Sequence, residues 1–226
     1  MTRMSGLYVY AITDSRQRAH LTGIFGRQLR TMGVGGVHAL VEQAARAPKP
    51  TVARLRAQDR GLEALAAGRR SVLPVRFGSF ARDARDLRGM LEGRSPELTR
   101  ALRQARGCAQ MTIRMVFAPL TSRARGADSA GPRNGADYLR SLLAEDKARR
   151  RHPAYQALQR AARGLTRAER VEWHSGAVRA ASIYHLVPRA RLPMYLGKVA
   201  RVGRRTDTTL VVSGPFLPFA FAGELR

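Results

Sequence analysis

Residues 72–80 read Val72-Leu73-Pro74-Val75-Arg76-Phe77-Gly78-Ser79-Phe80. Val72, Leu73, Val75 and Phe77 form a near-continuous apolar run, the pattern of a short strand covered on both faces. Pro74 has no N–H to give a ladder, so it belongs at a sheet edge or a bulge. Arg76 is a lone cation in that run and must reach solvent at the sheet margin or meet a carboxylate. Gly78 stops the strand, and the pattern predicts a direct passage into a helix. The segment Arg76-Phe77-Gly78-Ser79-Phe80 superficially suggests an RNA-binding strand. Such a strand needs aromatics two apart on one face, whereas Phe77 and Phe80 are three apart and point to opposite faces.

Around this strand lies a chain of 226 residues, enough for one large or two small domains. Folding at this size buries roughly 70% of the unfolded chain's surface, so no metal or disulfide is needed as a staple. Cys108 is the single cysteine, which rules out an intramolecular disulfide and a four-cysteine zinc site. The opening residues lack the pattern of a secretory signal, and no run approaches the ~18 apolar residues of a membrane span. A cytoplasmic location is expected. The formal net charge of +25 attracts anionic partners, an attraction that weakens with salt. Nearly all the cations are arginine, with lysine only at positions 49, 147 and 198, and they are spread through every segment. Codon bias and a selected polyanion surface both account for that distribution.

From the N-terminus, Gly6 to Thr13 is rich in aromatic and β-branched residues and predicts a strand. Gly33-Val34-Gly35-Gly36 reads as a turn into a second strand, Val37 to Glu42; its glycine spacing is wrong for a nucleotide loop. Thr51 can cap a helix to about Ala67 with Val52, Leu55, Leu62, Leu65 and Ala66 on one face. A helix from Asp83 to Leu91 follows. The next starts at Ser95-Pro96-Glu97, with Ser95 as N-cap and Leu98, Ala101, Leu102 and Ala105 inward. Gln110 to Phe117 alternates, placing Met111, Ile113, Met115 and Phe117 on one face of a strand. Residues 119–134 have no periodicity and read as a linker between an N-terminal α+β domain, 1–118, and a C-terminal domain, 135–226.

Beyond the linker the pattern predicts a helix with Tyr138, Leu139, Leu142 and Leu143, kinked or ended near Pro153. Tyr155, Leu158, Ala162 and Leu165 continue a helical stripe. Strands at Ala168 to His174 and Arg179 to Val187 precede a helix from Arg191 to Val202, with Leu192, Tyr195, Leu196 and Val199 inward. A last strand spans Thr208 to Ser213. With 110–117 as its first strand, this half runs β-α-β-β-α-β, the order of a ferredoxin-like split βαβ sandwich. The expected fold class is α+β with two domains.

Little catalytic chemistry is visible. None of the five histidines pairs with another at metal-ligand spacing. His38 and His185 sit in apolar strands and read as packed, hydrogen-bonded side chains. Glu172-Trp173-His174 offers an acid and a base on one strand face without an evident nucleophile. Cys108 reads as a small buried hydrophobe. No enzyme activity, cofactor or metal is expected.

The C-terminal stretch Gly214-Pro215-Phe216-Leu217-Pro218-Phe219-Ala220-Phe221 is different. Pro215 and Pro218 exclude a regular helix or a central strand. Its aromatics must either pack across a groove of the chain itself, which would tie domains together, or present an apolar binding surface.

Leu7-Tyr8-Val9-Tyr10, Val72 to Gly78, Gly135-Ala136-Asp137-Tyr138-Leu139 and Gly214 to Phe221, in this order and spacing, resemble the GvpL/GvpF family of gas vesicle proteins over essentially the whole chain. Relatives usually end Gly-Pro-Trp-Pro-Pro-Tyr-Ser-Phe, where this chain has Phe216, Leu217, Phe219 and Ala220 at the differing positions. They tend to carry histidine where Gln58 stands, and glutamate where Gln110 stands. The resemblance implies two α+β domains, the second a modified ferredoxin-like fold. It implies a non-enzymatic role in vesicle assembly, with the hydrophobic shell protein and other vesicle accessory proteins as partners, and a location at gas vesicles. Pro74, Arg76, Phe77, Gly78, Tyr138 and Leu139 then become structural motif residues. Gly214, Pro215, Phe216, Pro218, Phe219 and Phe221 become candidates for partner binding or domain tying. The competing expectation is a basic, ferredoxin-like nucleic-acid-binding module, for which binding that survives more than about 0.2 M salt would be the mark.

Overall fold

A computed structural model describes residues 6–16, 21–67, 71–117, 134, 136, 150–174, 180–204 and 208–223. Within these the chain is mixed α/β, with two antiparallel sheets and five α-helices. Its elements fall in two compact units, residues 1–111 with 214–226, and residues 112–213. This differs from the expected division at 119–134, chiefly because the C-terminal segment belongs to the first unit. Tyr138 and Leu139 lie outside the described residues, as does most of 119–134.

The first unit is built on β1 (Gly6–Thr13), β2 (Arg30–Val34), β3 (Val37–Ala44), β4 (Val72–Pro74) and β5 (Phe80–Ala81). The strand order is β2-β3-β1-β4, with β5 also paired to β1. β1 is therefore interior, and a register shift between Val9 and Ala11 puts a bulge at Tyr10. The bulge turns Tyr10 and Ala11 to the same side, where they join Tyr8, Leu40, Leu62, Leu65 and Val72. The other face carries Val9, Ile12, Val41 and Leu73. Three helices cover these faces: α1 (Val52–Ala67), α2 (Ala84–Glu92) and α3 (Ser95–Ala105). Leu62 and Leu65 bring α1 to the Tyr8 side; Leu87, Leu91, Leu98 and Leu102 bring α2 and α3 to the other.

The stretch 72–80 is placed as its composition requires, with one correction. Pro74 sits on β4 at the end of the strand order, opposite Ala11. Arg76 is exposed. Val75 still donates to the Tyr10 carbonyl at 3.1 Å, and the Ser79 carbonyl accepts from Val9 at 2.9 Å. Between them the Arg76 carbonyl accepts from the Ser79 N–H at 3.1 Å, closing a turn in which Gly78 adopts φ +93°. The chain therefore does not pass straight into a helix. It returns to β1 as β5 first, and α2 begins only after Asp83, whose side chain accepts from the Asp86 N–H at 2.8 Å.

Other local expectations need correcting. β2 precedes the glycine turn and contains Gly33, a strand hidden by its short polar sequence. The hairpin turn is Gly35-Gly36, with φ +55° and +86°. Val52 and Leu55 are 64% and 40% exposed because α1 engages the core only from Gln58 onward. Ser95 is not the N-cap of α3; that position is Arg94, and the Ser95 hydroxyl donates to the Gly35 carbonyl.

The second unit contains the remainder of β6 (Cys108–Val116), α4 (Pro153–Ala162), β7 (Ala168–His174), β8 (Ala180–Pro188), α5 (Leu192–Gly203) and the first part of β9 (Thr209–Phe216). The strand order is β7-β8-β6-β9. Arg150 is helical and Arg151 a turn, so a helix ends just ahead of Pro153, which begins α4; the His152 ring Nδ1 caps α4 by accepting from Ala154. Tyr155, Leu158, Tyr195 and Val199 are the buried anchors of the two helices. Leu196, expected inward, is 42% exposed.

Candidate interface at the C-terminal segment

Three of the four sequence motifs meet in the first unit. Tyr8 from β1 lies edge-on to Phe77 at 5.9 Å between ring centroids. It also lies edge-on to Tyr10 at 4.8 Å and to Phe25 at 5.9 Å. Its hydroxyl donates to Gln58 Oε1 on α1 at 2.5 Å and accepts from the Gly78 N–H at 3.4 Å. Burial pushes the Tyr8 phenol up to about 12. Beside it Tyr10 donates to buried Glu42, and Glu42 also accepts from the backbone N–H groups of Phe25 and Arg27. That carboxyl holds the loop between β1 and β2 against the sheet. Burial, then the Glu42 bond, raises the Tyr10 phenol strongly.

The C-terminal segment closes over this cluster. Gly214 adopts φ +120°, and a Cβ there would stand 2.8 Å from the Gln110 carbonyl oxygen and 3.0 Å from Met111 Sδ. Only glycine fits so close a backbone approach. The Gly214-Pro215 peptide is cis. Leu217 is 8% exposed in the cluster of Tyr8, Tyr10 and Leu62, and Pro218 is buried beside it. The Ala220 N–H donates to Gln110 Oε1 at 2.8 Å. Residues Phe219–Phe221 form a 3-10 turn that delivers Ala222 into the opposite core cluster, and Phe221 is half-buried. Phe216 and Phe219 point outward, 44% and 42% exposed. Leu217, Pro218 and Ala222 pack on the chain itself, and two rings remain accessible on a fixed frame.

Neither Gln58 nor Gln110 stood out as a functional position in the sequence. Both proved to be buried acceptors of this arrangement, and both are positions at which the chain departs from its resemblance. That coincidence was the available signal.

The ionisable groups of the second unit form a packing network. His185 is 1% exposed, with Nδ1 2.7 Å from the Tyr195 hydroxyl and Nε2 2.7 Å from Glu169 Oε2. Tyr155 and Gln159 also donate to Glu169. Burial favours protonation of Glu169, but the bonds from His185, Gln159 and Tyr155 outweigh it and hold the carboxyl below its usual range. His185 is the hydrogen-bonded strand histidine its sequence context suggested. His38 differs, its Nδ1 being buried without a partner among the described residues. Sequence reading found no hydroxyl for His174, yet Ser182 Oγ lies 2.8 Å from its Nε2 across the β7–β8 pair. Glu172 accepts from Tyr184, which also hydrogen-bonds Ser182, so the acid reaches the Ser182–His174 pair through the tyrosine and not by direct contact. Cys108 is buried, and no cluster of three metal-ligating side chains occurs among the described residues. No helix of the described residues is long and apolar enough to cross a membrane.

Residues 6–223 match the model of a family described as gas vesicle synthesis protein GvpL/GvpF. The chain belongs to the GvpL/GvpF family. Gas vesicle protein GvpF from Anabaena sp. PCC7120 is similar in crystal structure at a TM-score of 0.68 and 16% identity, covering 97% of this chain and 98% of that one. The crystal structure of GvpF from Microcystis aeruginosa is similar at a TM-score of 0.71 and 15% identity, covering 96% and 99%. At such identities these neighbours show the shared fold. Among curated protein sequences, none matches. GvpL/GvpF membership supports a gas vesicle accessory role, in a family not known for enzymes. For this GvpL/GvpF chain, the motifs that carried the resemblance in β1, in 72–78 and in 214–221 each send residues to one face of the first unit, namely Tyr8 and Tyr10, Val72, and Leu217.

Proposed function

We propose that this protein is a non-enzymatic accessory factor of gas vesicle assembly, acting in the cytoplasm at nascent vesicles. In this reading it holds the hydrophobic shell protein and other vesicle accessory proteins. The observation that carries it is the pair of outward rings, Phe216 and Phe219, on a segment fixed by Leu217, Gln110 and Ala222. A shell subunit made to face gas is apolar enough to aggregate when free. Rings already held in place bind such a surface without the entropy cost of ordering a loose tail. The arginines, spread through every segment of the chain, supply orientation toward acidic partners. The order β-α-β-β-α-β from β6 to β9, with strands arranged β7-β8-β6-β9, supports a ferredoxin-like second domain. Family membership supports the setting.

The test is co-purification with the shell subunit. Removing the whole segment is unsuitable, since Leu217 and Ala222 are core residues. The double variant Phe216→Ser with Phe219→Ser keeps those anchors and is expected to recover much less shell protein. Equal recovery from a folded variant would remove the rings from the mechanism. Nucleic-acid binding is the weaker reading: the exposed side of the second sheet carries Arg114 and Arg170, but Tyr184 is its aromatic and Glu172 opposes them.

A further inference from the structure

β9 is an edge strand, and among the described residues it pairs only with β6. Natural edges are blunted by charge, proline or brevity. The opposite edge, β7, carries Glu169, Arg170 and Glu172, and the edge of the other sheet, β2, carries Arg30. By contrast, Thr209-Leu210-Val211-Val212-Ser213 has no charge, in a chain that is 25% charged. Beside this unguarded run is a groove between β9 and α5. Val199, Ala200 and Gly203 form its helix wall and Leu210 and Val212 its strand wall. Leu196, one turn ahead of Ala200, extends the helix wall and is 42% exposed. Arg204 stands at the mouth with Thr208 and Thr209, and among the described residues no acidic side chain lines the groove.

An open strand edge and an apolar trough along it require two things of an occupant. Its backbone must be extended, to meet the N–H and C=O groups on the edge of β9 that face no strand among the described residues. Alternate side chains must be apolar, to fill the trough against α5. Arg204, the cation among the described lining residues, adds a carboxylate. We propose that this groove binds an extended segment of a partner protein by strand addition to β9, with alternating apolar residues against Ala200, Gly203 and Leu210 and a carboxylate against Arg204. The small residues Ala200 and Gly203 leave the depth those side chains use. This inference holds whether or not the partner is a vesicle component.

The test titrates the full-length protein against fluorescent synthetic peptides of about eight residues, a usual strand length, alternating Val with Thr and ending in Glu. Saturable binding is expected, with hydrogen-exchange protection of residues 209–213. N-methylation of alternate peptide amides, Ala200→Leu and Arg204→Glu should each weaken it about tenfold or more. Met194→Ser, on an exposed position outside the groove, should leave it unchanged. Should Ala200→Leu fail to fold, Gly203→Ala serves instead, because the added Cβ would lie 3.7 Å from Leu210 Cβ, an ordinary contact. Peptides with an amidated C-terminus and with Gln for Glu identify which carboxylate Arg204 reads. Absence of binding, or binding indifferent to N-methylation, overturns the proposal. So does a concentration-dependent dimer that protects residues 209–213 without peptide, since the edge would then belong to a second copy.

Discussion

Gln110 accepts the backbone N–H of Ala220 at 2.8 Å, a bond between residues 110 positions apart. It ties β6 to the segment that carries Phe216 and Phe219. Gln110 is 5% exposed, so a replacement that cannot accept removes its bond to the Ala220 N–H at a buried position. Gln110→Leu is expected to cost about 1–3 kcal/mol in urea unfolding, with faster hydrogen exchange at Ala220. Gln110→Glu keeps an acceptor in place and should lose less. Unchanged exchange at Ala220 in the leucine variant would show that the bond does not hold the segment.

Alkali offers a separate probe, because the tyrosines of both cores ionise reluctantly. Burial raises Tyr8 to about 12, and burial with a neighbouring carboxylate raises Tyr10 and Tyr195 further. An unfolded tyrosine ionises near 10, so above that pH the folded state holds more protons than the unfolded one. Stability must therefore fall as pH rises past about 10, by up to about 1.4 kcal/mol per pH unit for each such phenol. Ultraviolet titration should show a late phenolate step at about 12 for Tyr8 that Tyr8→Phe removes. Arginine stays charged throughout that range, so the step reports tyrosine.

Glu169 supplies the matching effect in acid. Its carboxyl is held low by His185, Gln159 and Tyr155, so near pH 4 the unfolded state binds more protons than the folded one. Stability from this network is full above the ordinary carboxylate range and is lost as pH falls through the depressed value. Glu169→Gln is expected to cost about 1–2 kcal/mol at neutral pH, with the difference from the parent narrowing below about pH 4. A difference that stays constant down to pH 3 would mean that packing, not the charge, is what the substitution removes.

Elements with strong periodicity were legible in the sequence: β1, α2, α3, β6 and β8 follow their apolar spacing closely. Short strands were not. β2 carries Arg30, Thr31 and Gly33, and it exists because β3 offers a partner, which no local pattern records. Likewise the apolar spacing of α1 could not distinguish Leu62, which joins the buried cluster of Tyr8, from Val52, which meets water. Pro215 and Pro218 made the C-terminal segment legible as neither regular helix nor central strand, and its first residues, 214–216, end the edge strand β9. Its division into inward Leu217 and outward Phe219 depends on Gln110 and the Tyr8 cluster, residues remote in sequence.

The start of α1 is electrostatically unfinished, and this yields a gain-of-stability prediction. Thr51 Oγ1 accepts from the Arg54 N–H at 3.3 Å, half of a capping box whose other half needs an acid at position 54. The first turn of α1 contains no acidic residue, so the partial positive charge of the helix start faces Arg54 and Arg56 instead. Arg54→Glu supplies both the return bond to the Thr51 backbone N–H and a favourable charge. It should raise stability by about 0.5–1 kcal/mol, with Arg54→Gln giving the smaller share due to the bond alone. Salt separates the two contributions: screening should erase the difference between the Glu and Gln variants while leaving their common gain over the parent. A glutamate variant no more stable than the parent at low salt would show that α1 draws its stability only from the Leu62 and Leu65 contacts.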